Sequence, residues 1–206
     1  MMSSNTDEGL GREEIEIEDR IGEKPKLKLI RGNYPYAMTI GSVDVVAAPD
    51  KSPPFKVDAV VVEEDTFLVM SAHRRVQDPK EPLIKIMTRL IETRPKAPGS
   101  VFVRGGSPLC FLAVVHDLNE EPTWREEWII GALEAIFQEA ERRELSSIAL
   151  PFLGTLHGSL DKERFLVLLQ SALEKIPMNY LKRLWLVVPG KTSSRILEIL
   201  QAGPQE

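Results

Sequence analysis

The part of this sequence with the clearest capacity for chemistry is a glycine-containing turn near residue 155. Its residues are Gly154, Thr155, Leu156, His157 and Gly158. An apolar run at 148–152 precedes the turn and is typical of a buried strand, and helical apolar spacing begins after Asp161. Backbone amides in a turn between a strand and a helix can hold an anion, because they carry partial positive charge and glycine permits close approach. We therefore regard residues 154–158, the glycine loop, as a candidate binding site.

Three adjacent carboxylates form a second candidate for chemistry. Glu63, Glu64 and Asp65 follow an apolar run at 57–62. Crowded carboxylates can act as acid and base or bind a metal, because crowding raises one pKa and a cation relieves the repulsion. No histidine or further acidic cluster lies near them in the sequence, so we favour the interpretation that they form a solvated strand end.

The histidines give no catalytic or metal-binding pattern. They stand singly, at His73, His116 and His157. Such spacing fits neither a nucleophile with its base nor a set of metal ligands. His116 ends an apolar run at 109–115, and we interpret it as a hydrogen-bonded structural residue. The sequence therefore predicts no catalytic residue, no metal site and no cofactor.

Composition limits the classes of function. The 206 residues are enough for one sizeable α/β domain. The net charge of -5 disfavours nucleic acid as a partner, since such proteins gain affinity by neutralising phosphates. Cys110 is the only cysteine, so no intrachain disulfide can form. No apolar run is long enough to span a bilayer and no secretory signal begins the chain, so we expect a cytoplasmic protein without membrane contact.

Strands and helices alternate through the second half of the chain. Apolar runs predict strands at 26–30, 38–48, 57–62, 100–103, 109–115, 148–152 and 184–188. Helical spacing predicts helices at 82–91, 125–143 and 161–176, and a last helix from Thr192 or Ser193 to Leu200. Gly41 would break or bulge the second strand, and Gly105 and Gly106 are expected to turn a hairpin. Alternation of this kind predicts an α/β fold with helical layers around a mixed, mainly parallel sheet.

One domain with two tails is expected. Residues 1–24 are rich in Ser, Asn, Asp, Glu and Gly, so they bury too little apolar surface to offset the entropy of ordering. We expect a flexible acidic N-terminal tail at 1–24, a single domain at 25–201 and a flexible C-terminal tail at 202–206.

Four segments are informative through their residues and their order. Residues 57–61 read Val-Asp-Ala-Val-Val, and the strand that follows the Gly-Gly turn ends in His116. Trp124 precedes the long helix, and residues 147–155 read Ser-Ile-Ala-Leu-Pro-Phe-Leu-Gly-Thr. Together they resemble the macro domains, ADP-ribose-binding modules whose corresponding strands read Val-Asp-Ala-Ile-Val and Ser-Ile-Ala-Phe-Pro-Ala-Ile-Gly-Thr. The resemblance spans roughly residues 49–189 and implies a three-layer α/β/α macro-like fold.

The resemblance also implies a ligand of the ADP-ribose or related nucleotide type. Amides of residues 154–158 would meet the phosphates, and His157 would pack where the family has an aromatic residue. Asp50 would read the adenine base, and Asp65 stands in the place of an asparagine that the family's ADP-ribosyl hydrolases use. The sequence departs from the family in two loops. Residues 66–70 contain no glycine, and the glycine loop is about one residue shorter and lacks a middle glycine.

Three functions stay open. The first is a binding module for ADP-ribose or a related nucleotide with an altered site, favoured by the glycine loop before a helix. The second is a non-catalytic macro-like scaffold that acts through protein contacts or as a homodimer, favoured by the altered first loop and its carboxylates. The third is an enzyme, either an ADP-ribosyl hydrolase or a hydrolase that uses the carboxylates with His116 or His157.

Overall fold

The computed structural model describes residues 37–70 and 94–188. Several predicted features lie outside these residues: the tails at 1–24 and 202–206, the strand at 26–30, His73, and the helices at 82–91 and from Thr192 or Ser193 to Leu200. Among the helices of the described ranges, none combines the length and the apolar character that crossing a bilayer requires.

Seven strands within the described residues form one sheet. They are β1 (Ala37–Ile40), β2 (Val43–Pro49), β3 (Ala59–Asp65), β4 (Val101–Arg104), β5 (Leu109–His116), β6 (Ser147–Pro151) and β7 (Arg183–Val188). Their order across the sheet is β1-β2-β7-β6-β3-β5-β4. The five central strands run parallel, and β1 and β4 run antiparallel at the two edges. The mixed, mainly parallel sheet of the predicted α/β fold is confirmed.

Two described helices complete the part of the fold that bears on function. They are α1 (Glu126–Arg142) and α2 (Lys162–Lys175), close to the predicted bounds. Buried residues of both helices join the main apolar core, and α1 packs against β4, β5 and α2. Along β7, Leu184 and Leu186 belong to this core, whereas Trp185 packs with Ala48 and Ala149 in a separate buried cluster. Successive side chains of a strand point to opposite faces of the sheet, so these two groups of buried apolar residues lie on opposite faces.

The strand predicted within 38–48 corresponds to β2, and the break expected at Gly41 is a reversal of the chain that sets off a further strand, β1. The strands β1 and β2 form an antiparallel hairpin in which Ile40 pairs with Val43. Gly41 lies at the turn with a φ of 58°, in the left-handed region that glycine adopts without steric cost. Apolar residues on both sides of the turn resemble one continuous run, so the hydrophobic pattern alone did not reveal the reversal. The predicted hairpin around Gly105 and Gly106 is confirmed by the antiparallel pairing of β4 with β5.

The parallel strands bring the candidate residues to one edge of the sheet. Asp50 follows β2, Asp65 ends β3 and His116 ends β5. The glycine loop follows β6, which lies next to β3. Because parallel strands all end at the same edge, which we call the carboxyl edge, residues far apart in the sequence meet there.

Candidate functional site

Two of the three carboxylates that end β3 are buried and the third is largely covered. Glu64 and Asp65 are 0% exposed, and the side chain of Glu63 is 9% exposed. The interpretation of these residues as a solvated strand end is therefore wrong. Its physical cause is the position of β3, which lies between β6 and β5 and stays paired with β5 through Asp65. A central strand has neighbours on both sides, so its last residues are covered.

Glu63 connects the end of β5 to the glycine loop. One carboxylate oxygen, Oε1, is hydrogen-bonded to Nε2 of His116, and the other, Oε2, accepts the backbone N–H of Gly154 at 3.2 Å. Nδ1 of His116 lies 3.3 Å from the hydroxyl of Thr123. An ionised Glu63 only accepts, so Nε2 carries a proton, and in a neutral ring Nδ1 accepts from the threonine hydroxyl. Both ring nitrogens of His116 are therefore engaged inside the protein.

The interpretation of His116 as a hydrogen-bonded structural residue is confirmed. The residue is 1% exposed. Its partner Glu63 is 53 residues away in the sequence and belongs to the neighbouring parallel strand. Sequence reasoning considered Glu63 together with His116 only for the hydrolase alternative and did not include it in the predicted binding site. One available signal was that both residues end apolar runs, which parallel pairing would bring to the same edge.

Asp65 fixes the turn that follows its own strand. Its Oδ1 accepts the amide of Phe67 at 2.6 Å, and its Oδ2 accepts the amides of Val69 and Met70 at 3.0 and 2.9 Å. Leu68, inside this turn, has a φ of 58°, in the left-handed region that residues other than glycine rarely adopt. The hydrogen bonds to Asp65 on both sides of Leu68 hold the backbone in this conformation. The carboxylate of Asp65 thus accepts hydrogen bonds from three amides of residues 66–70, which we call the first loop. A contact of Asp65 with a ligand stays a prediction.

The two glycines of the glycine loop are required by close packing. Gly154 has a φ of 73°, and a Cβ there would lie 2.9 Å from Cδ1 of Ile129. A Cβ on Gly158 would lie 2.6 Å from Cδ1 of Trp124 and closer still to the carbonyl oxygen of Gly154. That same carbonyl accepts the amide of Leu160 at 3.1 Å. The loop therefore folds back on its own first residue.

The tip of the glycine loop faces outward. None of the described residues accepts a hydrogen bond from the amides of 156–158. The side chain of Leu156 is 76% exposed, and His157 is exposed with its ring edge-on to that of His116, the two centroids being 6.3 Å apart. The hydroxyl of Thr155, by contrast, donates to the carbonyl of Phe152 at 3.0 Å. The loop thus has three amides without a hydrogen-bond acceptor among the described residues, and one exposed apolar side chain.

Asp50 lies at the same edge but farther along the sheet. It is exposed in the turn after β2, and β7 lies between β2 and β6. Two strand spacings separate it from the glycine loop, roughly 10 Å. In the part of the chain that the structure describes, no three His, Cys, Asp or Glu residues are grouped to hold a metal ion.

A further carboxylate, Asp58, has a role at the opposite edge. Its Oδ2 accepts the amides and hydroxyls of Ser146 and Ser147 at 2.8 to 3.0 Å. Partial burial acts to raise the pKa of Asp58, but these hydrogen bonds outweigh it and hold the pKa below its ordinary value. The aspartate of the Val-Asp-Ala segment therefore joins the starts of β3 and β6 and lies away from the carboxyl edge.

Comparison with solved structures shows that the chain has a macro-domain fold. An Oceanobacillus iheyensis macrodomain solved with ADP has a TM-score of 0.57 and 16% sequence identity, over 81% of this chain and 93% of its own. The macrodomain of Thermus aquaticus DarG has a TM-score of 0.51 and 19% identity, over 70% and 98%. The macro domain of ganglioside induced differentiation associated protein 2 has a TM-score of 0.56 and 12% identity, over 81% and 87%. No family model and no curated protein matched the sequence, so the likeness lies in the fold.

Proposed function

We propose that this protein is a binding module for ADP-ribose or a related nucleotide-type ligand, with a site that differs from that of its structural relatives. The observation that carries the proposal is that no described residue accepts a hydrogen bond from the amides of 156–158, in a loop at the carboxyl edge of a macro-domain sheet whose residues Leu156 and His157 are exposed. Amides at this position can receive a phosphate group. The Oceanobacillus macrodomain solved with ADP supports a ligand of this class.

The candidate residues have separate proposed parts in binding, except Gly154 and Thr155, whose amides already donate to Glu63 and to the carbonyl of Phe152. The amides of 156–158 contact a phosphate-type group, and the exposed ring of His157 packs beside it. Asp50, about two strands away, receives the base. Asp65 contributes by holding residues 67–70 in place beside the ligand. No covalent step is included in this function.

The proposal is tested by changing the charge at the tip of the loop. Leu156→Glu adds a carboxylate beside the amides, and Leu156→Gln adds a side chain of nearly the same shape without the charge; the position is exposed, so both variants should fold. We expect ADP-ribose to bind roughly fivefold more weakly to Leu156→Glu than to Leu156→Gln at low salt. Isothermal titration calorimetry measures the difference. Absence of heat with the unchanged protein at millimolar ADP-ribose, AMP and adenosine would contradict the proposal.

A second candidate function is a scaffold that acts through protein contacts or as a homodimer. The observation that favours it is that two apolar side chains, Leu156 and Leu118, are exposed in segments that follow strands at the carboxyl edge. Exposed apolar surface marks an interaction site where it is contiguous. Light scattering over a concentration series would detect self-association, and a strict monomer without a co-purifying partner would count against this function. Hydrolysis of ADP-ribosyl bonds stays the third alternative.

A further inference from the structure

We infer that Glu63 determines the charge of the ligand: it acts as an internal anion beneath the glycine loop, so that the site favours a nucleoside with at most one phosphate group over a diphosphate. This inference rests on the proposed function. Its basis is the hydrogen bond from the Gly154 amide to Oε2 of Glu63. An amide at the start of the glycine loop is thereby already matched to a carboxylate of the protein.

The carboxylate of Glu63 is held firmly in this position. Its other oxygen is bound to Nε2 of His116, whose Nδ1 meets the hydroxyl of Thr123. The side chain is 9% exposed, so solvent screens its charge only weakly. A negative charge that stays beneath the loop repels each further negative charge brought to the amides of 156–158.

The first loop carries a second internal anion. The carboxylate of Asp65 accepts the amides of Phe67, Val69 and Met70. The loop that follows β3 and the glycine loop that follows β6 therefore both donate amide hydrogen bonds to carboxylates from the end of the same strand, β3. Two phosphate groups of a ligand would meet two fixed negative charges, whereas a nucleoside or a monophosphate meets less repulsion.

Glu63→Gln removes the charge and keeps the contacts. The amide oxygen of glutamine can accept the N–H of Gly154, and its NH₂ group can donate to Nε2 of His116 in the other tautomer of the ring. Nδ1–H then donates to the hydroxyl of Thr123. Glu174→Gln is a control with the same loss of charge. Glu174 is exposed near the last residue of α2, more than about 15 Å from the first residue of that helix at a rise of about 1.5 Å per residue.

The test measures adenosine, AMP and ADP-ribose binding to the unchanged protein and both variants by titration calorimetry at low salt. We expect the unchanged protein to bind adenosine or AMP at least as tightly as ADP-ribose. In Glu63→Gln, the affinity for ADP-ribose relative to adenosine should rise about tenfold. Glu174→Gln should leave that ratio unchanged. Near-ultraviolet circular dichroism of each variant checks that the fold is retained.

The ratio of affinities separates the charge of Glu63 from a purely structural role. A structural role would change the affinities for adenosine and ADP-ribose by the same factor and leave the ratio as it was, which would overturn the inference. A preference of the unchanged protein for ADP-ribose over adenosine by more than about tenfold would also overturn it. If nucleotide-type ligands bind and only the ratio fails, the proposed function stands; if none binds to any of the three proteins, the proposed function fails and the inference fails with it.

Discussion

At the scale of single residues, Gly158 shows how little room the glycine loop leaves. The chain passes over the carbonyl of Gly154 and against the ring of Trp124, whose Nε1 donates to the hydroxyl of Ser159 at 3.3 Å. The shape of the loop therefore depends on contacts between its two glycines and a residue that precedes α1. Binding by the amides requires this shape, since an amide must point at its acceptor to bind it.

We predict that Gly158→Ala destabilises the protein by about 1–3 kcal/mol, because the new methyl group would force atoms of Trp124 or of the backbone to move. Urea unfolding measures the change in free energy. Gly105→Ala is the matched control, since a Cβ at Gly105 meets nothing within 4 Å, and its effect should be much smaller. Equal stability of the two variants would show that the loop adjusts freely at Gly158.

At the scale of elements, the starts of β3 and β6 are joined by side chains as well as by the sheet. Asp58 precedes β3, and the two serines that it binds lie at the start of β6. Because β3 carries the buried carboxylates and β6 leads into the glycine loop, this connection fixes the two strands that build the site. It lies at the edge opposite the candidate site.

We predict that Asp58→Asn lowers the free energy of unfolding at pH 7 by about 1 kcal/mol, the usual net contribution of a hydrogen bond. The folded-state pKa of Asp58 lies below its ordinary value, so this stabilisation is present above the ordinary carboxyl pKa. It is lost as the pH falls through the folded value, and the variant and the parent should then converge. Urea unfolding over a series of pH values, from pH 7 downward for as long as the parent stays folded, measures both parts. A difference that stays constant with pH would contradict this, and Asp50→Asn, at an exposed carboxylate, is the control.

At the scale of the whole molecule, the parallel sheet separates a rigid centre from an exposed rim. The central strands β7, β6 and β3 contribute residues with no exposed surface, such as Leu184, Ile148 and Ala59. The glycine loop follows β6 at the carboxyl edge, and no described residue accepts a hydrogen bond from its amides at 156–158. A rigid sheet with an accessible loop at its edge is an arrangement common among ligand-binding α/β proteins.

We predict that amide hydrogen exchange separates these two regions. The amides of 148–150 in β6 should exchange only through global unfolding, whereas those of 156–158 should exchange quickly without it, because no described residue accepts their hydrogen bonds. Saturation with a binding nucleotide should slow exchange at 156–158 and leave 148–150 unchanged. Mass spectrometry or NMR measures both rates, and slow exchange at 156–158 in the free protein would contradict the outward orientation of these amides.

The sequence by itself determined the elements whose pattern is local. The apolar run at 57–62 indicated β3, but the strand lies at Ala59–Asp65 and includes the three carboxylates. Apolar runs and helical spacing predicted β5, β6, β7, α1 and α2 nearly at their observed bounds, since both periods are properties of a few neighbouring residues. The glycine pair at 105–106 gave the hairpin between β4 and β5 for the same reason. The similarity of short segments to macro domains predicted the fold and named Asp50, Asp65 and the glycine loop as candidate residues. The structure has that fold and brings these residues to one edge of the sheet.

Only the tertiary structure decided what the carboxylates at the end of β3 do. Their burial depends on the strands and loops around β3, and the pairing of Glu63 with His116 joins residues 53 positions apart. A run of charged residues looks the same in a sequence whether solvent or protein surrounds it, because hydration and burial depend on neighbours that distant segments supply. The amide of Gly154 is therefore matched to Glu63 by the fold, and the local sequence around either residue does not indicate it.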